Sequence, residues 1–181
     1  MTRESAGRRS QAKGDALERQ LDAYHAQLAA EGRGHIRRVG TPVRVMGPVR
    51  HDARGRHGFP ATFDGPQGVD FVGFHVLGGL PCPTAIEAKT HDGDGAWDCG
   101  INPDGTVATG GALTAHQWAE LCAYEAACSV GSMVILAAWG RVWLLRPNVI
   151  ADHVKRAGRR TIRPTEIEGI ADELRGVRWL G

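Results

Sequence analysis

Ser132 to Trp139 is a nearly continuous apolar run, and it constrains the chain more than any other segment. Bounded by Gly131 and Gly140, it reads as a buried strand, which belongs inside a sheet that other elements cover. The rest of the chain supplies that cover. Leu17, Leu21, Tyr24 and Leu28 recur at helical spacing, so an amphipathic helix is predicted over about 13–31, ended by Gly32 and Gly34. Strands are predicted over 41–46, with Val43 and Val45 on one face, over Val69–Val76 and over Thr84–Thr90. The last two are joined through a Gly-Gly-Leu-Pro-Cys-Pro turn. The glycine-rich stretch 91–112 reads as a loop. A helix follows over Thr114–Cys128, with Gln117, Leu121, Tyr124 and Cys128 on one stripe and Thr114 with Gln117 as its capping box. After Gly140 comes a strand over Arg141–Leu145. Short helices are predicted over Asn148–Arg156 and Thr165–Leu174, the latter behind Pro164 with Glu168 completing a second capping box. This order predicts an α/β fold, a mixed central sheet flanked by helices. It forms one domain over 13–181, after a disordered basic segment over 1–12. No stretch approaches the ~20 apolar residues of a membrane span, so no membrane partner is expected.

Net charge is only +2, but the cations are gathered in blocks. Arg3, Arg8, Arg9 and Lys13 crowd the N-terminus. Arg37, Arg38, Arg44, Arg50, Arg54 and Arg56 follow, and Lys155, Arg156, Arg159, Arg160 and Arg163 form a third cluster. Such blocks are either solvated surface or the footprint of a polyanion such as nucleic acid. The second block runs into 47–68, a stretch rich in Gly, Pro, Arg and His whose only bulky apolar residues are Phe59 and Phe63. An excursion this long in a compact domain is functional or mobile. The four cysteines, at 82, 99, 122 and 128, form no CxxC pair, and the N-terminus has no apolar leader. They are expected as buried thiols in a reducing cytoplasm.

The chemistry concentrates between Val69 and Thr90. Strand side chains alternate, so Glu87 and Lys89 share one face while Ile86 and Ala88 take the other. If this strand pairs as a hairpin with the one that Asp70 opens, Asp70 meets Glu87 at a sheet edge. Two carboxylates suit Mg²⁺, which keeps several waters and takes one or two carboxylates plus phosphate oxygens. The lysine then orients or helps to deprotonate an attacking water. An ordinary solvated strand face carries Glu-x-Lys as well. The apolar embedding of Glu87 and Lys89 and the upstream Asp70 favour the site. Glu18 on the first helix is a candidate to complete the metal shell, and Gln117 a candidate beside its capping role. No HExxH or HxxxH zinc pattern, EF-hand spacing or Walker loop is present, and His51 and His57 lie in the basic excursion.

Six segments in order resemble the RecU-type Holliday junction resolvases, over roughly residues 13–180. They are Gly14-Asp-Ala-Leu-Glu18-Arg-Gln-Leu21, His35-Ile-Arg-Arg-Val-Gly-Thr-Pro-Val43, Val69-Asp70-Phe-Val-Gly73, Ile86-Glu87-Ala88-Lys89, His116-Gln117 and Arg159-Arg-Thr-Ile-Arg-Pro-Thr-Glu-Ile167. The Asp70–Glu87 spacing and the stretch from Lys89 to Gln117 are longer than in that family, as loop insertions would make them. The resemblance implies a restriction-endonuclease-like PD-(D/E)xK fold with a protruding basic stalk, 47–68, between the first two strands. It implies a homodimer, cytoplasmic and nucleoid-associated, that nicks four-way DNA junctions symmetrically and leaves 5′-phosphate and 3′-hydroxyl ends. Asp70, Glu87, Lys89, Glu18 and Gln117 are then the catalytic set, and Asp70, Glu87 and Glu18 hold Mg²⁺, for which Mn²⁺ substitutes. Arg37, Arg38, Arg50, Arg54, Arg56 and His57 contact DNA. A restriction- or repair-type duplex endonuclease, and a non-catalytic DNA-binding protein, stay open as alternatives.

Overall fold

In the computed structural model, residues 3–39, 43–45, 50–51, 57–58, 61–63 and 68–174 are described. Helix α1 (Arg3–Ala30) leads into β1 (Gly34–Arg38). Four short strands follow: β2 (Val43–Val45), β3 (Arg50–His51), β4 (His57–Gly58) and β5 (Ala61–Phe63). Then come β6 (Phe71–Leu77), β7 (Leu80–His91), β8 (Trp97–Asp98), α2 (Ala115–Ala127), β9 (Ser132–Ala138) and β10 (Arg141–Leu145). The chain continues through α3 (Pro147–Ala157), β11 (Thr161–Ile162), α4 (Pro164–Ile167) and β12 (Asp172–Glu173). Six strands form a mixed sheet in the order β1-β6-β7-β9-β10-β12. Its neighbours are antiparallel except β7 and β9, a parallel pair whose connection carries α2. The architecture is thus α/β, a mixed central sheet flanked by helices.

Alternation sorts the strand side chains between two cores. Ala85, Val134, Leu136, Trp143 and Leu145 pack with Leu121 of α2 and with Ile150 and Val154 of α3. Phe71, Ile86, Ile135 and Val142 pack with Leu17 and Leu21 of α1. The apolar run at 132–138 is apolar on both sides because each side faces a core.

Several expectations are corrected. Helix α1 begins at Arg3, where the sequence suggested disorder. Residues 3–12 carry no apolar stripe to announce a helix, yet Arg, Glu, Ala and Gln extend one readily once it is nucleated. The first strand of the sheet is β1, whose only buried large apolar residue, Ile36, leaves no alternation to read. Strand β2 pairs instead with β5, and β3 with β4, outside the main sheet. The turn between β6 and β7 is Gly78-Gly79 alone, both at positive φ, so Leu80–Pro83 lie within β7. The 91–112 stretch is more than a loop, because β8 pairs with β11 and Trp97, Cys99 and Ile101 join the core. At the start of the last helix it is Glu166, not Glu168, whose carboxylate accepts an N–H, from Arg163 at 2.8 Å, with no matching side-chain acceptor at Arg163, and α4 stops at Ile167. Cys82 and Cys128 form a disulfide, correcting the expectation of four thiols, whereas Cys99 and Cys122 are free. No helix among the described residues is long and apolar enough to cross a membrane.

Two local features are strained or costly. Trp139 and Gly140 form the two-residue turn between β9 and β10, at φ of 53° and 74°. Such turns favour Asn-Gly, and a bulky residue held there costs ~1–3 kcal/mol. His25 of α1 is 3% exposed, edge-on to Phe71 at 5.1 Å between ring centroids. Burial, then the neighbouring His75, pushes its pKa down from 6.5 to about 4. The unfolded chain therefore binds a proton between pH 6.5 and 4 that the fold refuses. The His25 contribution to stability is complete above pH 6.5, is lost as pH falls toward 4, and is constant below. The loss is on the order of 3 kcal/mol. In parallel denaturant titrations, His25→Leu is expected to lose less stability than the parent between pH 7 and pH 4. Equal losses would remove His25 from the account.

Candidate active site

Strand β6 begins at Phe71, opposite Ile86, but β7 runs on to His91. Beyond Ile86, β7 has a strand neighbour among the described residues only on its β9 side, and Asp70 fills the notch left on the other. Its Oδ2 accepts the Ala88 N–H at 2.8 Å, and its own N–H donates to Glu87 Oε2 at 3.2 Å. A side-chain oxygen thus stands where a ladder partner would end. The approach to Asp70 is held from α2, where Glu120 Oε2 accepts the Val69 N–H at 3.1 Å. A Cβ at Gly68 would lie 2.3 Å from that oxygen, so a larger residue there would displace the Glu120 carboxylate.

Glu87 and Lys89 share the face toward α2, as alternation predicts. Glu87 is 1% exposed. Its Oε1 accepts the Gln117 side-chain N–H at 2.6 Å and lies 2.6 Å from Lys89 Nζ. Gln117 Oε1 accepts the Thr114 N–H at 3.0 Å, and Thr114 Oγ1 accepts the Gln117 N–H at 3.3 Å. The capping box predicted from sequence is therefore present, and it locks Gln117 in the rotamer that meets Glu87. Lys89 Nζ also lies 3.5 Å from Gln117 Oε1, at the limit of a hydrogen bond. Asp70, Glu87, Lys89 and Gln117 converge as one connected group.

Burial dominates the electrostatics. It raises the Glu87 pKa to about 7, helped by the charge of Asp70 and opposed by Lys89. Burial also raises Asp70, against the Ala88 hydrogen bond and the charges of Lys89 and Arg38. Two adjacent carboxylates that both resist ionisation present the oxygen donors that a hard divalent cation favours. No group of three His, Cys, Asp or Glu side chains with metal-binding geometry occurs among the described residues. Two carboxylates with the shell completed by water and phosphate fit Mg²⁺, whereas zinc takes three or four protein ligands.

The other expected residues are distributed differently. Glu18, expected as a third ligand, is not brought to the pair. It forms an ion pair with Arg38 of β1, which also stands 3.9 Å from Asp22. A guanidinium within reach captures the helical carboxylate before the sheet notch does. Arg38, expected on DNA, pairs with Glu18 and its charge reaches Asp70, and both it and Arg37 beside it are exposed. Arg50 and His57 fall on β3 and β4, and Arg54 and Arg56 lie outside the described residues. Sequence reasoning missed Glu120. Its signal is the i, i+3 spacing from Gln117, which puts both side chains on one face of α2. No protein-family model matches the chain, and no curated protein matches it.

Proposed function

We propose that this chain is a Mg²⁺-dependent endodeoxyribonuclease of the PD-(D/E)xK kind that resolves four-way DNA junctions, acting as a homodimer. The observation that carries the reading is the convergence of Asp70, Glu87, Lys89 and Gln117 in the notch where β6 ends and β7 continues. On this reading the sheet is restriction-endonuclease-like. Asp70 and Glu87 hold the cation, for which Mn²⁺ substitutes, and Glu18 joins them only if Arg38 releases it. The cation supplies Lewis-acid stabilisation of charge on the phosphoryl oxygens and a lowered pKa for water. Gln117 fixes Glu87, and Lys89 is the cationic donor beside it. The Lys89 ammonium orients the attacking water and compensates the negative charge developing on the phosphate.

The junction preference rests on the sequence resemblance and on the place of the basic stretch 47–68. That stretch falls between β1 and β6 of the main sheet; β3 and β4 pair within it, and β5 pairs back with β2 just ahead of it. A four-way junction has near two-fold symmetry and needs two matched nicks, and a C2 dimer supplies two matched sites. The deciding experiment incubates the protein with labelled four-way junction and with linear duplex, with and without Mg²⁺. Paired symmetric nicks on the junction alone, only with the metal, are expected. Equal cutting of the duplex would replace this reading with a restriction- or repair-type nuclease. Tight binding without cutting would replace it with a DNA-binding protein.

Lys89→Ala is expected to lose cleavage by about 100-fold or more, in the range of positioned proton-transfer groups. Lys89→Arg keeps the charge, but its planar fork cannot reproduce the compact ammonium, so only a little activity returns. Single-turnover cleavage of the junction reads both. Parental rates for Lys89→Ala would return Lys89 to the surface.

A further inference from the structure

Two consecutive backbone amides lead into the candidate site, and each ends on a carboxylate. The Val69 N–H donates to Glu120 of α2 at 3.1 Å, and the Asp70 N–H donates to Glu87 of β7 at 3.2 Å. On the other side the Asp70 carbonyl accepts the N–H of Val39, just past β1, at 2.7 Å. The Glu120 carboxylate also packs directly on Gly68, where a Cβ would stand 2.3 Å from Oε2, 3.3 Å from Cδ and 3.6 Å from Oε1. Glu120 follows Gln117 by three residues, on one face of α2. Gln117 in turn donates to Glu87 Oε1 at 2.6 Å. One helix face thus holds both halves of the carboxylate pair. It holds Glu87 by the side chain, through Gln117, and Asp70 by the backbone just ahead of it, through Glu120. Satisfying the N–H of Val69, which is 1% exposed, needs only some acceptor. Placing that acceptor on the helix that also grips Glu87 does more, because it fixes where Asp70 stands relative to Glu87.

We propose that Glu120 is a positioning residue of the cation site: by holding the Val69 amide it sets the separation of the Asp70 and Glu87 carboxylates, and with it the affinity for a divalent cation. The proposal rests on the metal site of the nuclease reading and adds a residue to it. Mg²⁺ demands near-ideal octahedral geometry, so its binding is sensitive to how the protein oxygens are spaced. Asp70 already gives Oδ2 to the Ala88 N–H at 2.8 Å, so the backbone ahead of it decides how the other oxygen is presented. Glu120 therefore acts on the cation through Asp70. Groups that orient metal ligands from behind contribute about 10- to 100-fold to affinity.

The test measures cation binding, so that it stands apart from cleavage. Mn²⁺ is titrated into the full chain and its free form is read by electron paramagnetic resonance. The component that Glu87→Gln abolishes is the one followed. Glu120→Ala is expected to weaken it by about 10-fold or more, in the range for lost outer partners of metal ligands. Glu120→Gln is expected to recover most of that loss, because its amide oxygen still accepts the Val69 N–H. Gly68→Ala keeps the carboxylate in the chain but drives it from that N–H. The clash falls on the far end of a flexible side chain, so the fold absorbs it there. Gly68→Ala should weaken Mn²⁺ as Glu120→Ala does, and the two together should lose no more than either alone, as for residues acting through one contact. If Glu120→Ala fails to melt cooperatively, Gly68→Ala decides alone. Parental Mn²⁺ affinity in either alanine variant, losses that add in the double variant, or equal losses for Glu120→Gln and Glu120→Ala overturn the positioning role and leave the nuclease reading intact. A parent without the Glu87-dependent component overturns both.

Discussion

Glu87→Gln is expected to lower the rate of junction cleavage by at least about 100-fold while leaving junction affinity at or above that of the parent. The substitution keeps the shape of a side chain that is 1% exposed, so packing barely changes. What it removes is charge. Asp70 is left as the sole carboxylate to hold a divalent cation, and Lys89 loses the partner 2.6 Å from its ammonium. The amide oxygen can replace only one of the two carboxylate oxygens. Either the Asp70 N–H or the Gln117 side-chain N–H then loses its acceptor, at ~1–3 kcal/mol. Relief of a buried carboxylate that resists ionisation beside Asp70 offsets that loss, so the melting temperature should move little. Affinity holds or rises because a negative charge beside the DNA phosphates has gone. Single-turnover cleavage, a gel-shift titration at fixed salt and a thermal melt measure the three quantities. Parental cutting rates in Mg²⁺ would end the catalytic assignment of Glu87.

Opening the disulfide is the second large expectation. Cys82 and Cys128 are 46 residues apart in sequence, with Cα atoms 6.2 Å apart. In the chain-entropy description, closing a loop of that length stabilises a fold by on the order of 4 kcal/mol. For a domain of this size that corresponds to a fall of roughly 8–16 °C in melting temperature when the link is removed. Cys82→Ser should show it, and treatment of the parent with a thiol reductant should match it. The neighbourhood argues against collapse of the site itself. The C-cap of α2 is still anchored by the Cys128 N–H to the Tyr124 carbonyl at 2.9 Å. Ala85 N–H still donates to the Gly131 carbonyl at 2.7 Å, and Gly131 passes so close to Pro83 that a Cβ would lie 1.9 Å from its carbonyl oxygen. A melting temperature unchanged by reductant would mean that these two sulfurs carry no constraint.

Much of the site was legible because strand geometry leaves few choices. Once 84–90 is a strand, Glu87 and Lys89 must share a face, and once Thr114 caps a helix, Gln117 must sit three residues in. The Asp70–Glu87 meeting followed from a hairpin whose turn was placed slightly too long. Illegible parts share a different cause. The Glu18–Arg38 pair joins a helix to an edge strand that has no apolar pattern, so nothing local announced either the strand or the capture. Trp97, Cys99 and Ile101 are spaced by two within a glycine-rich stretch. Their burial comes from the pairing of β8 with β11 more than sixty residues on, which local pattern does not encode. The disulfide likewise joins positions that only the parallel pairing of β7 and β9 brings together.

That parallel pairing also orders events in time. Strands β6 and β7 are joined by two residues and can zip as they meet, whereas β7 and β9 need a long crossover to run side by side. Closing such a loop must be completed before its contacts repay it, which makes it the late and slow part of folding. Gln117 lies on the crossover, so Glu87 and Lys89 cannot acquire their partner until that step is done. Refolding should therefore pass through a stage with the β6–β7 hairpin formed and the carboxylate pair still open to solvent. Recovery of the proposed nuclease activity should lag behind recovery of secondary structure.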